Sequence, residues 1–245
     1  MKTYETSYGP VPVWGEFDRF ESYRPLLFVI RGAFPDLDSM TLLYRHLPEF
    51  DVALVHLPGM HSPFFSECSV NVFARAFDEV VVALDKRKIF ALGLSTGALV
   101  ALAMRGAESL ILVEPPLSTA DAWPLIPQFL EWGANNSDVA RWIDEIFGYS
   151  EQGVVNRDYT GLLENSSPGV VLLGGAPLEP RRPFDRMPSL VTQADRARIA
   201  ATPHLKAIVL PGVGHNVPFR APKEFLVILK QALADSAYVA STSRV

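Results

Sequence analysis

Short apolar runs recur along the chain at intervals too long for hairpins, and this spacing constrains the fold more than any other feature. Leu26–Ile30, Asp51–Leu57, Ile89–Leu92, Ser109–Val113, Gly169–Leu173 and Lys206–Leu210 are dominated by Val, Ile, Leu, Phe and Ala. Near-continuous apolar character of this length marks strands buried on both faces, as in a parallel sheet covered by helices. Between the runs, Asp38–Leu47 and Val70–Leu84 carry apolar residues at three- and four-residue spacing, and Thr96–Arg105 and Pro222–Asp235 also read as helices. The alternation predicts an α/β class with a mostly parallel central sheet and helices on both faces. Thr3–Phe17 is expected to add an antiparallel hairpin at one edge, turning at Gly9-Pro10, and Ser236–Val245 reads as a loose tail.

The interval from Pro115 to Ser167 breaks the alternation. It holds no convincing strand; Ala120–Gly133, Asn136–Phe147 and Gly153–Glu164 each look helical, and large side chains such as Trp123, Phe129, Trp142, Phe147 and Tyr149 are concentrated there. A crossover between neighbouring strands does not need an insert of this length. The expected organisation is a core of residues 1–114 and 168–245, with residues 115–167 forming a small helical cap whose aromatic residues roof a pocket. The plainer alternative is helical packing against the sheet.

Composition narrows the functions available. Apolar residues are 49% of the chain, enough for a large core, and the formal net charge is −5. No basic patch or charge run marks a nucleic-acid partner. No apolar stretch approaches the eighteen or so residues that span a bilayer, and the polar segment Met1–Pro10 lacks the apolar core of a signal peptide, so neither a membrane partner nor secretion is expected and the cytoplasm is the default location. The single cysteine, Cys68, excludes an internal disulfide, and with no neighbouring basic group it reads as an inert thiol. No paired Cys or His spacing supports a metal site, and no cofactor is implied.

Chemistry enters at Gly93-Leu94-Ser95-Thr96-Gly97. G-x-S-x-G is weak as a bare pattern, but here a strand precedes it and a helix follows it. A strand that turns directly into a helix at Ser95 forces strained backbone angles, and glycines at 93 and 97 let strand and helix approach closely. The turn lifts the Ser95 hydroxyl to a helix N-terminus, where free N–H groups favour negative charge. A serine hydroxyl needs a base to take its proton. Among the histidines at 46, 56, 61, 204 and 215, His215 lies in Gly212-Val213-Gly214-His215, just past the last strand, at the sheet edge where open α/β folds bind ligands. His56 reads as a core residue, His61 as structural with a possible place at a pocket rim, and His46 and His204 as solvent-facing.

These features resemble the α/β-hydrolase family over nearly the whole chain: the apolar strand, the G-x-S-x-G elbow, the helical insert and the late G-x-G-H loop. Leu57–Ser62 also looks like a loop of that family, although His56 stands where the family usually has Asp. The resemblance implies Ser95 as nucleophile and His215 as general base. It implies an oxyanion hole from the backbone N–H of Thr96 and, in the loop usually beginning His-Gly, the N–H of Ala33. Here that loop reads Arg31-Gly32-Ala33-Phe34, and the arginine is a departure. The family's common acid position, after Gly169–Leu173, holds no aspartate. Glu179 lies one or two residues late and Asp185 further off. A second acid position, at the end of the strand after the elbow helix, corresponds to Glu114, which some haloalkane dehalogenases resemble locally. Glu114 is the favoured third member, although a strand-end carboxylate also serves simply to bond loop amides.

The implied function is a serine hydrolase acting on a small, apolar ester, thioester or lactone, with a small-molecule substrate and no cofactor. The alternatives are a carbon–carbon bond hydrolase, lyase or perhydrolase on the same fold, or a ligand-binding protein with a relict triad.

Overall fold

The computed structural model describes residues 1–33, 43–60, 62–86, 88–176 and 187–242. Its strands are β1 (Lys2–Thr6), β2 (Gly9–Gly15), β3 (Leu26–Ile30), β4 (Asp51–Val55), β5 (Ile89–Leu94), β6 (Ser109–Val113), β7 (Tyr149–Ser150), β8 (Gly153–Val154), β9 (Gly169–Gly174) and β10 (Leu205–Leu210). Eight of them form one sheet in the order β1-β2-β4-β3-β5-β6-β9-β10. From β4 to β10 all neighbours are parallel, whereas β1, β2 and β4 pair antiparallel. The mostly parallel sheet and the edge hairpin are as the sequence implies. The hairpin turns at Ser7-Tyr8, two residues before the expected Gly9-Pro10, because Gly9 already pairs with Thr6 and takes the left-handed φ of +136° that closes the turn. Pro10 and Pro12 have no N–H to give a second neighbour, and β4 pairs with β2 only over Val13–Gly15.

Strand alternation divides the core into two layers. Leu26, Phe28 and Ile30 of β3 pack on one face with the helices Val70–Ala83 and Thr96–Ala103, while Leu27 and Val29 pack on the other with Leu43, Leu47, Phe225, Leu229 and Leu233. This is why the runs read as continuous rather than alternating. Ser69 caps the helix Val70–Ala83 by accepting the Val72 N–H at 3.2 Å. The final helix continues to Thr242, beyond Asp235, so the segment expected to be a loose tail is largely helical. Of the expected helix Asp38–Leu47 only residues 43–47 lie within the described residues, and Leu43–His46 is helical. The helix Gln193–Ala201 escapes sequence reading because it shows little periodic apolar face; its start is set by Thr192, which accepts the Asp195 N–H at 3.2 Å.

Between β6 and β9 the chain forms a 3₁₀ segment, Thr119–Leu125, and the helices Ile126–Gly133 and Ser137–Phe147. Asn136 accepts the N–H groups of Asp138 and Val139, and Gly148 ends the second helix at φ +70°. The helix expected over Gly153–Glu164 is not formed. Gly153, at φ +131°, instead pairs with Ser150 in the small β7–β8 hairpin, and only Thr160–Leu163 makes a 3₁₀ turn. Short polar side chains are engaged elsewhere: Asp158 Oδ1 accepts from Thr160 N at 2.9 Å, a local bond that competes with helical ones, and Asn156 Oδ1 accepts from the distant Ala120 N at 2.9 Å. Phe129, Trp142, Phe147 and Tyr149, expected to roof a pocket, pack on one another inside the core, with Phe129 and Phe147 centroids 4.7 Å apart.

Phe77, fully buried on the helix Val70–Ala83, meets Phe28 of β3 edge-on at 5.8 Å and joins that helix to the sheet centre. Phe77→Ala is expected to lower stability by about 3–5 kcal/mol in urea unfolding; a loss below about 1 kcal/mol would mean that the site collapses around the smaller side chain.

Candidate active site

The strand β5 passes into the helix Thr96–Ala103 through one residue. Ser95 takes φ +53° and ψ −121°, a conformation that costs about 1–3 kcal/mol for a side-chain-bearing residue and persists only when its surroundings enforce it. Those surroundings leave no room for larger neighbours. A Cβ on Gly93 would lie 2.5 Å from the Ala98 Cα, and one on Gly97 2.6 Å from the Arg31 carbonyl oxygen. The Ser95 N–H donates to the Val113 carbonyl at 2.8 Å, tying the turn to the end of β6.

The next residue on that neighbouring strand is Glu114. It too has a positive φ, +52°, and its side chain is completely buried. His215, from the loop after β10, stands between the two: its Nε2 is 2.9 Å from Ser95 Oγ and its Nδ1 is 3.2 Å from Glu114 Oε2. A carboxylate only accepts hydrogen bonds, so this arrangement places the imidazole proton on Nδ1 and turns the Nε2 lone pair toward the serine hydroxyl. The carboxylate's other hydrogen-bond partners among the described residues are donors: Gly174 N at 2.6 Å and Ser189 Oγ at 2.8 Å to Oε1, and Leu190 N at 3.0 Å to Oε2. The carboxylate therefore does bond loop amides, and it faces the histidine as well.

Residues 23–227 match the family model described as the alpha/beta hydrolase family. The chain belongs to that family. Many solved structures share its fold. A thermophilic esterase from Thermogutta terrifontis with malate bound is 19% identical, with 96% of this chain and 98% of that one covered and a TM-score of 0.63. An N-formylmaleamic acid deformylase from Pseudomonas putida S16 is 16% identical over 94% of this chain and 100% of that one, TM-score 0.61. A proline iminopeptidase from Mycobacterium smegmatis is 16% identical over 98% and 99%, TM-score 0.61. A search of curated proteins finds no significant match.

In this α/β-hydrolase, Ser95 and His215 open onto a cavity of about 420 Å³. Leu94, Val113, Leu125, Met187, Pro218 and Phe219 give it apolar walls, and Arg31, Gln128, Asn216 and Arg220 add polar groups. Ala33, expected to supply an oxyanion N–H, lines this cavity beside Gly32, and Thr96, expected to supply the other, is the buried first residue of the elbow helix. Arg31 is buried at the same edge and also lines the cavity. Glu179, Asp185, Phe34 and His61 lie outside the described residues.

The remaining candidates stand apart. His56 is buried and meets the Trp14 ring edge-on at 4.9 Å. His204 is not simply solvent-facing: its Nε2 lies 3.1 Å from Ser166 Oγ. His46 is exposed. Among the described residues no cluster of three or more His, Cys, Asp or Glu could hold a metal ion, and no helix is long and apolar enough to cross a membrane. Sequence reading missed Ser189, Leu190 and the Gly174 N–H. They reach Glu114 from segments 60 to 76 residues away, and nothing local marks them.

Cys68 is buried, and burial, reinforced by the nearby Glu145 charge, pushes its thiol up to about 12. A raised value keeps the thiol protonated at pH 8, with about 10⁻⁴ as thiolate. The native protein is expected to resist a thiol-titrating disulfide reagent at pH 8 and to react with one equivalent once unfolded in urea; rapid reaction of the folded protein would contradict the buried placement.

Proposed function

We propose that this α/β-hydrolase is a serine hydrolase that cleaves a small carboxylic ester, thioester or lactone through an acyl-enzyme. The observation that carries the reading is the continuous contact from Ser95 Oγ to His215 Nε2 at 2.9 Å and from His215 Nδ1 to Glu114 Oε2 at 3.2 Å, with Ser95 on a strained turn at a helix N-terminus. In this reading His215 removes the Ser95 proton as Oγ attacks the carbonyl carbon. The negative charge that develops on the carbonyl oxygen meets the N–H groups of Ala33 and Thr96. Collapse of the tetrahedral adduct breaks the bond to the alcohol or thiol, which leaves with the proton held by His215. Water, deprotonated by His215, then attacks the acyl-serine, and the same proton returns to Oγ as the acid product departs. Glu114 stays ionised throughout, orienting the imidazole and stabilising its protonated form. Only water is consumed, so no cofactor is called for.

The apolar walls of the cavity favour an apolar portion of the substrate. We take residues 115–167 as a helical cap on this site, on the ground that Leu125 and Gln128 line the cavity wall. The similar structures include an esterase, a deformylase and an iminopeptidase by name, so amide substrates belong in the same screen as esters.

Wild-type protein is expected to hydrolyse short-chain p-nitrophenyl esters and to be labelled by a fluorophosphonate probe. Ser95→Ala should abolish labelling and lower turnover by about 10⁴-fold or more. Retained activity in that variant would overturn the assignment, and failure of the wild type to turn over or label would favour a binding protein. Glu114→Gln is expected to lower kcat by about 10³–10⁴-fold, because an amide in that place no longer selects the Nδ1–H tautomer; activity within about tenfold of wild type would move the acid elsewhere.

A further inference from the structure

The hydrogen bonds around Glu114 reach one residue further than a three-residue set requires. Ser189 Oγ lies 2.8 and 3.0 Å from the two Glu114 carboxylate oxygens. The same oxygen receives Arg196 Nη2 at 2.6 Å and the Val191 N–H at 3.3 Å. A hydroxyl has one proton and two acceptor sites. Since both acceptor sites face donors, the single proton is left for the carboxylate. Arg196 thereby dictates the direction of a hydrogen bond it does not itself make. Among the described residues it forms no direct ion pair with Glu114; the hydroxyl lies between them.

Arg196 also holds the backbone on either side. Its Nη2 is 2.5 Å from the Gly174 carbonyl oxygen and its Nε 3.0 Å from that of Val191. These two points flank the other donors to Glu114, the N–H of Gly174 at the end of β9 and the N–H of Leu190. The segment so held reaches His215 too, because the His215 N–H donates to the Pro188 carbonyl at 3.1 Å. A planar guanidinium can satisfy three acceptors at fixed angles, which a lysine ammonium on a flexible stem does not reproduce.

We infer that Arg196, acting through Ser189, is a positioning residue of this enzyme: it directs the Ser189 hydroxyl to Glu114, and so fixes the carboxylate orientation that holds His215 in its Nδ1–H form. The inference rests on the reading of Ser95, His215 and Glu114 as the catalytic set. Arg196→Met and Ser189→Ala are each expected to lower kcat for p-nitrophenyl butyrate about 10–100-fold with KM within about twofold, as loss of an outer support to an aligned site does. Because Arg196 works through the hydroxyl, the double variant should lose no more than the worse single one. Arg196→Lys should not restore kcat.

A purely structural arginine would lower stability without moving the histidine. ¹⁵N spectra of histidine-labelled protein at pH 8, with the His215 signals assigned by their absence in His215→Gln, read this directly. The wild type should show the Nδ1–H tautomer, and both single variants a mixture. An unchanged tautomer in a folded variant, or additive losses in the double variant, would overturn the inference. If Arg196→Met does not fold, Ser189→Ala, which removes one hydroxyl, carries the same two readouts. Absence of turnover and of fluorophosphonate labelling in the wild type would instead defeat the hydrolase reading, and the tautomer spectra would still decide whether Arg196 orients His215.

Discussion

The Glu114 carboxylate has no exposed surface, and an ionised carboxylate left bare in that position would cost several kcal/mol. What makes the position tenable is a shell of donors from three parts of the chain: Gly174, the neighbours Ser189 and Leu190, and His215. A hydrogen bond to a charged group contributes about 1.5–3 kcal/mol, so the shell is of the size needed to offset burial. The consequence is geometric as much as energetic. A carboxylate held by three protein donors cannot rotate freely, so His215 meets it in one orientation, and the serine hydroxyl meets His215 in one orientation in turn.

The parallel sheet makes this convergence possible. β5, β6 and β9 are consecutive neighbours, so their carboxyl ends deliver Ser95, Glu114 and Gly174 to one edge, and the loop after β10 brings His215 back across it. Ser95 and Glu114 leave adjacent strands with nearly the same positive φ, +53° and +52°. In each case the residue just past the strand leaves the extended conformation. The two turns are tied together by the hydrogen bond from Ser95 N to the Val113 carbonyl. Backbone strain at the edge is thus shared between neighbours and held by a core in which β3 to β6 are buried almost throughout.

Legibility in the sequence followed how local each signal was. The sheet strands announce themselves because burial on both faces leaves an unbroken apolar run, and Ser95 because strand, glycines and helix fall within fifteen residues. His215 was found by its place after the last strand. Glu114 was weaker: a carboxylate at a strand end is common, and only the family resemblance singled it out. Ser189 and Arg196 carried no signal at all, since their meaning arises from contacts made across 60 or more residues of chain or from a polar helix without periodicity. The stretch Gly153–Glu164 departs from its helical spacing for the opposite reason. Its spacing is acceptable for a helix, but Asp158 has a local backbone partner in Thr160, and Asn156 bonds the Ala120 N–H 36 residues away.

The position proposed for the acid gives the end of β9 a part in the site. In the proposed reading the acid is Glu114 at the end of β6, and β9 ends in Gly174, whose N–H donates to that carboxylate. The two strands are direct neighbours in the sheet, so a carboxylate leaving one can reach the end of the other. Glu114 divides its oxygens: Oε2 faces the imidazole while Oε1 remains with Gly174 and Ser189. The same placement makes the segment Met187–Val191 a supplier of donors. It gives Glu114 the Ser189 hydroxyl and the Leu190 N–H, and its Pro188 carbonyl accepts the His215 N–H. Without the hydroxyl at 189, the Glu114 carboxylate would keep the Gly174 and Leu190 N–H groups and His215 but lose the one donor that meets both of its oxygens.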